Sequence, residues 1–312
     1  MRREEFTFKS KDGTSDIHAV KWMPDNGNYK AVFQIAHGMI EYIERYEPFA
    51  EFMTEYGFMV VGHDHIGHGH SVKSDNDYGY FPKDDPSGVL VSDMHTLRTI
   101  IQKENPDMPY FMFGHSMGSY MLRKYLSIYG NGLSGALICG TGYVPARTTG
   151  FGLFLTGLAA KIHGGHYRSQ MITNMTYNRS YRKFDMTGKD SKNSWLTRDS
   201  EIVEEYYKNP MCAYIFTMNG YRGLMEAVRY DCRQENVDKV PDDIPLYIIS
   251  GDDDPVGDLG SGVRKVYEMF LKSGKKDVEC KLYKDFRHEI LNEIGKEQVY
   301  NDILAWTTKH MS

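Results

Sequence analysis

A serine set between two glycines, Gly114-His115-Ser116-Met117-Gly118, follows an aromatic run of strand character, Pro109-Tyr110-Phe111-Met112-Phe113, and precedes a helix-like segment from Ser119 to Tyr129. G-x-S-x-G between strand and helix is the pattern of a nucleophile elbow. Such a turn holds its serine in a strained backbone conformation, and side chains beside it would collide, so glycine is required at 114 and 118. Ser116 is then expected at the C-terminal edge of a sheet and at a helix N-terminus, with the backbone N–H of Met117 aimed at a developing oxyanion. The chemistry is nucleophilic attack, and it needs help, because a hydroxyl attacks poorly until a neighbouring base takes its proton.

That base is usually a histidine oriented by a carboxylate, and behind an elbow the chain order is serine, acid, histidine. The strand-like Pro245–Ser250 runs into Gly251-Asp252-Asp253-Asp254-Pro255, and the last strand-like segment, Val278–Tyr283, runs into Lys284-Asp285-Phe286-Arg287-His288-Glu289. Asp254 is the preferred acid and His288 the base. Asp254 precedes Pro255, which biases it to extended backbone, whereas Asp252 and Asp253 suit a turn or the surface. The second oxyanion donor is expected after the strand Ala31–Ala36, in His37-Gly38-Met39, with the N–H of Met39 as the candidate. His63, His65, His68 and His70, with Asp64, are residue types that bind zinc. No separate ligand set completes a site there, so this is read as a structural loop and no metal is assigned.

These loops need strands and helices to position them. Phe6–Lys9 and Ile17–Trp22 alternate about Lys11-Asp12-Gly13 and predict an antiparallel hairpin at a sheet edge. Ala31–Ala36 is nearly continuously apolar, as a buried central strand should be. Helical spacing follows in Tyr46, Phe49, Met53 and Tyr56, then a strand at Phe58–Gly62. A helix over Gly88–Asn105, the elbow strand and helix, and a strand at Leu133–Cys139 continue the alternation, which resumes with helices over Val263–Lys272 and Gln298–Thr308. Strands alternating with helices predict a mostly parallel sheet covered on both faces. From about 144 to 238 the alternation breaks into helical or irregular sequence rich in Tyr, Met, Asn and Arg, read as a cap over the strand ends. The expected organisation is core over 1–143, inserted helical cap over 144–238, core again over 239–312. The cap opens with Phe151-Gly152-Leu153-Phe154-Leu155, and Phe151, Phe154 and Leu155 are its candidate substrate-binding residues.

At 312 residues with 41% hydrophobic and 25% charged content, the chain is long enough for a large core and ordinary for a soluble protein. A net charge of -5 without a long basic run disfavours nucleic acid. The N-terminus lacks the apolar core of a signal peptide, and no apolar run approaches the ~20 residues that span a bilayer. The four cysteines have no metal or redox spacing and read as free thiols in a cytoplasmic protein.

Taken together, His37-Gly38 with Glu41 and Arg45-Tyr46-Glu47, His63-Asp64-His65-Ile66-Gly67-His68-Gly69 with Ser71, Val91-Ser92-Asp93, the 114–118 elbow, Gly251 with Asp254, and His288 resemble the monoglyceride lipase and lysophospholipase group of α/β-hydrolases. The matches cover roughly residues 30 to 140 and 240 to 295. The resemblance implies an α/β-hydrolase fold with an inserted helical cap. Ser116 would be nucleophile, Asp254 orienting acid, His288 base, and Met39 and Met117 the oxyanion donors. It also implies hydrolysis of small lipid esters through an acyl-serine, without a cofactor, with transient contact at a membrane or micelle through the cap. The rival expectations are an esterase or amidase for small polar or aromatic acyl substrates, and a non-catalytic ligand-binding protein on the same fold. Met39-Ile40 stand where the family often has small residues, which crowds the oxyanion loop or the pocket floor.

Overall fold

The computed structural model describes residues 1–177 and 179–311. Eight strands form one sheet: β1 (Arg2–Lys9), β2 (Asp16–Met23), β3 (Ala31–Ala36), β4 (Phe58–His63), β5 (Tyr110–His115), β6 (Gly135–Cys139), β7 (Leu246–Gly251) and β8 (Val278–Tyr283). Their spatial order is β1-β2-β4-β3-β5-β6-β7-β8. The expected hairpin is the antiparallel edge, β1 on β2 and β2 on β4; the other neighbours are all parallel. Every residue of β3, β4, β5, β6 and β7 is buried.

The helices are α1 (Glu47–Glu55), α2 (Pro86–Glu104), α3 (Met117–Tyr129), α4 (Ala146–His163), α5 (Gln170–Thr176), α6 (Ser200–Lys208), α7 (Met218–Asp231), α8 (Gln234–Val237), α9 (Ser261–Lys272) and α10 (Lys296–Lys309). Alternate strand residues feed two cores. Val32, Met112, Ile138 and Ile248 pack with Leu90 and Met94 of α2, Met121 and Tyr125 of α3, and Val266 of α9. Phe33, Phe113, Leu137 and Ile249 pack with Phe49 and Met53 of α1 and Ile303 of α10. Two buried faces explain why these strands read as continuous apolar runs rather than as alternation.

The alternation stops between β6 and β7. Helices α4 to α8 and several 3₁₀ turns occupy that stretch, and α7 packs on α4 and also on α2 and α3. No helix of the described residues is long and apolar enough to cross a membrane. All four cysteines are unbridged, two buried and two half-buried.

Candidate active site

Ser116 sits between the end of β5 and the start of α3 with φ 52° and ψ −119°, a region L-residues rarely occupy. The strain is held in place from both sides. The Ser116 N–H donates to Cys139 O at 3.0 Å, and the Ser119 N–H donates to Ser116 O at 2.9 Å. A Cβ on Gly114 would collide with the backbone of Gly118, and one on Gly118 with the carbonyl oxygens of Ala36 and His37. Both elbow glycines are therefore required by close approach. Met117 is the first residue of α3, where an amide has no intrahelical acceptor.

The loops after β7 and β8 bring Asp254 and His288 together. His288 Nδ1 lies 3.0 Å from each carboxylate oxygen of Asp254. The carboxylate also accepts from Ser250 Oγ at 2.8 Å and from the Val256 N–H at 2.9 Å. Burial pushes the Asp254 pKa up, but the neighbouring His288 and these hydrogen bonds outweigh it, and the group stays below the usual carboxylate range. An ionised Asp254 keeps the Nδ1–H tautomer, leaving Nε2 as the basic nitrogen. Nε2 is buried and has no partner among the described residues. The other two aspartates of the triplet are spent elsewhere. Asp252 accepts from the Asp285 N–H, and Asp253 pairs with Lys183.

The 37–41 loop is fastened beside the elbow. A Cβ on Gly38 would lie 3.0 Å from Ser116 Cβ, which measures how close the two loops run. The Gly38 N–H donates to Glu41 Oε1, and the next amide is that of Met39. His37 donates from Nδ1 to Gly38 O at 2.8 Å and accepts at Nε2 from the His65 N–H at 2.9 Å, so its tautomer is set and it is neutral, as burial also favours.

Glu41 belongs to a cluster that sequence reasoning did not assign. Glu41 Oε1 also accepts from Tyr46 Oη at 2.9 Å and faces His115 Nδ1 at 3.1 Å, while Oε2 accepts from Arg45 at 2.8 Å. Arg45 grips Glu289 with two hydrogen bonds of 2.8 and 2.7 Å. His115 Nε2 faces the backbone oxygen of His288 at 3.3 Å. Both His115 nitrogens therefore face acceptors, and the ring is an imidazolium. Burial alone would lower its pKa; Glu41 outweighs that and raises it. Trp195 was also missed. Its ring stacks on His288 with centroids 5.1 Å apart, and its backbone oxygen accepts from the His288 N–H. Its sequence signal was slight, an isolated tryptophan in an irregular stretch.

Ser116, His288, Met39 and Met117 all line one cavity of about 1270 Å³. Phe151 and Leu155 line it too, and Phe154 does not: it is 64% exposed on the outer side of α4. Phe154 and Leu155 point about 100° apart, and Phe151, one turn earlier and itself exposed, lies between those two directions at the cavity rim. The histidine loop stays outside the cavity lining. Asp64 accepts from the Ile43 and His70 N–H groups, and His63 and His68 are buried, with burial pushing their pKa values down to about 3.

Residues 27–295 match the family model described as "Serine aminopeptidase, S33". The chain belongs to that family. It is a serine hydrolase with the α/β-hydrolase fold. Among its relatives in this fold, a monoacylglycerol lipase of Mycolicibacterium smegmatis is 25% identical over 99% of this chain and 98% of its own length. The monoglyceride lipase of Mus musculus is 25% identical over 93% and 86%. A thermostable carboxyl esterase from Bacillus coagulans, solved with glycerol, superposes with a TM-score of 0.90 at 28% identity, covering all of both chains.

The buried cluster makes stability depend on pH in a signed way. The His115 pKa is raised in the folded state, so its contribution is complete below the unfolded value of about 6.5 and is lost as pH rises through the folded value. His115→Gln is expected to show a smaller loss of stability than the parent as pH rises above about 6.5. Urea unfolding across that range checks this, and parallel slopes for the two proteins would remove the charge from His115. Glu41→Ala, which strands a buried cation, is expected to cost about 3–5 kcal/mol in the same assay.

Proposed function

We propose that this chain hydrolyses carboxylic esters of small lipids, of the monoacylglycerol or lysophospholipid type, through an acyl-Ser116 intermediate. The observation that carries the reading is Asp254 holding His288 by Nδ1, with Nε2 free, beside Ser116 in a large cavity. In this reading His288 Nε2 takes the proton of Ser116 Oγ as that oxygen attacks the ester carbonyl. The Met39 and Met117 N–H groups receive the negative charge on the carbonyl oxygen. The intermediate collapses, the alcohol leaves with the proton from His288, and water activated by the same nitrogen releases the acid. Asp254 stays ionised throughout and stabilises the imidazolium. No cofactor is required by these steps.

The lipid substrate is supported by the wall of the cavity and by its rim. Leu155, Ile172, Leu224, Met225 and Val228 give an aliphatic wall of the kind an acyl chain fills. Phe151, Phe154, Leu158 and Ile162 form an exposed apolar stripe along α4, and Met171 and Met175 of α5 are exposed as well. Such a stripe suits transient contact with a membrane or micelle that holds the substrate. In this reading residues 144–238 act as the cap. The names of the relatives point the same way. A second reading, esters with an aromatic group, is favoured by the aromatic part of the lining, Tyr177, Tyr181, Trp195, Tyr206, Tyr207 and Tyr214.

Hydrolysis of monoacylglycerols of graded chain length, beside aryl-alkenoyl esters and an aminoacyl amide, separates the readings. The lipid reading expects kcat/KM to climb with chain length, and a preference for the aryl esters or the amide would replace it. Ser116→Ala is expected to lose labelling by a fluorophosphonate, with the fold intact; persistent labelling would move the nucleophile elsewhere. Asp254→Asn is expected to lower kcat by about 10⁴, with Asp252→Asn and Asp253→Asn mild; a crippled Asp252→Asn would transfer the role.

The two sides of α4 give a further contrast. Leu155→Ser is expected to lower kcat/KM for a medium-chain monoacylglycerol roughly tenfold, at about 0.8 kcal/mol for each CH₂ left unburied, and to spare an acetyl ester. Phe154→Ser is expected to spare both as monomers and to slow only emulsified substrate. Equal losses on the soluble substrates for both variants would remove α4 from the acyl path.

A further inference from the structure

Of the histidines in the 63–70 loop, His70 lies apart from the others, on the outside of the sheet edge, and the sequence reading of no metal did not foresee its neighbours. There it meets His18 on β2 and Glu44 in the 3₁₀ turn Ile43–Tyr46, and Glu5 on β1 stands beside His18. His18 Nε2 is 3.3 Å from Glu5 Oε2, and His70 Nε2 is 3.6 Å from Glu44 Oε1. The two imidazole rings have centroids 4.9 Å apart. Potential ligand atoms of Glu5, His18 and Glu44 all lie within 4.8 Å of one another.

Three observations separate this group from an ordinary surface cluster. His18 is buried, and its Nδ1 is held at 2.9 Å by Asp64 Oδ2, a carboxylate already accepting two backbone N–H groups. Both ring nitrogens thus face carboxylates, Asp64 at Nδ1 and Glu5 at Nε2, so the place between Nε2 and Glu5 holds a positive charge, either a proton or a metal ion that displaces it. Arg3 does not stand there. It bonds Oε1 of Glu5 at 2.7 Å and Oε1 of Glu44 at 3.0 Å, leaving Oε2 of both carboxylates. Glu44 Oε2 is a buried oxygen with no partner among the described residues. Finally, two ligands at 2.0–2.1 Å from a tetrahedral zinc ion are about 3.4 Å apart, and His18 Nε2 and Glu5 Oε2 already have that spacing.

We propose that Glu5, His18, Glu44 and His70 form a binding site for a divalent transition-metal ion, with two imidazole nitrogens and two carboxylate oxygens suited to Zn²⁺. Asp64 supports His18 from behind, the outer partner that metal-bound histidines ordinarily have. Arg3 remains on the Oε1 atoms and on Glu47. The ion ties β1, β2 and the 3₁₀ turn to the loop whose His65 N–H holds His37. None of the four residues lines the Ser116 cavity, so the site acts on stability rather than on the reaction.

The full-length protein, stripped with EDTA and dialysed, is titrated with Zn²⁺ by calorimetry and followed by thermal unfolding. One equivalent is expected to bind at neutral pH, with Tm rising by about 4 °C at a hundredfold excess over Kd. Co²⁺ in its place is expected to give the visible absorption of a tetrahedral site. His70→Ala, a substitution at a half-exposed side chain, and Glu44→Gln are each expected to weaken uptake at least tenfold and to leave hydrolysis of a short ester by the metal-free protein unchanged. Asp277→Asn, in a second carboxylate–histidine group with Glu279 and His310, is expected to change nothing. Absence of uptake at micromolar Zn²⁺, uptake indifferent to both His70→Ala and Glu44→Gln, or uptake lost instead in Asp277→Asn would each overturn the assignment.

Discussion

Two carboxylates and two cations are buried side by side next to Ser116, and their charges cancel. Glu41, Arg45, His115 and Glu289 come from three segments that are remote in the chain, and each ion finds its opposite charge within the set. A buried ion costs several kcal/mol when its partner is missing, so loss of one member strands the rest. An apolar cluster could fill the same volume at less risk. It could not hold the Gly38 N–H or the His288 backbone oxygen, and both are held here. The directional bonds of the cluster thus set the distances between the 37–41 loop, the elbow and the loop that carries His288. In the proposed reaction those three loops carry the groups that must agree to within a fraction of an ångström.

The elbow adds a second constraint. Backbone at φ 52° costs about 1–3 kcal/mol, and it persists only because its surroundings over-determine it. The strand before Ser116 is buried along its whole length, and the helix after it is packed by Met121, Leu122 and Leu126. A rigid strand and a rigid helix leave the turn no softer arrangement. Trp195 performs a similar service for His288, covering one face of the ring while its carbonyl accepts the backbone N–H. The imidazole is thereby confined on one face, with Nδ1 on Asp254 and Nε2 left for a proton.

Much of this was legible in the residues, for identifiable reasons. Ala31–Ala36 and Val278–Tyr283 were placed to the residue, because apolar runs bounded by turn residues leave little choice of phase. Helix starts were read two residues late, at Met117, Pro86 and Lys296, because first-turn residues are not part of the apolar repeat. Pro255 set Asp254 apart from its two neighbours in the sequence, and of the three it is Asp254 that lies against His288. What could not be read depends on tertiary return. His115 and Glu41 are 74 positions apart, and nothing local marks them as partners. Trp195 reaches His288 from a stretch without periodicity. Phe154 was grouped with Phe151 and Leu155 because a helix apolar on every side carries no phase in its sequence. His70 was grouped with His63 and His65 by proximity in the chain, whereas the fold turns it to His18.

The absence of phase in α4 has a physical counterpart. On its inner side the buried hydroxyls of Thr149 and Thr156 bond back to carbonyls of the preceding turn, so neither asks for a partner across the helix interface. Gly152 lets Met225 of α7 approach closely, which fixes the helix by packing rather than by ions. The outer side carries Phe151, Phe154, Leu158 and Ile162 in water. That stripe contributes nothing to folding, since exposed apolar area gains only when it is covered. The helix is the wall of the cavity on one side and an uncovered surface on the other. Under the lipid-ester reading both faces meet the same kind of hydrocarbon, the chain inside and the aggregate it came from outside. A helix in that position is selected for apolar residues all round, and the missing phase is then a consequence of its place between two hydrocarbon surfaces.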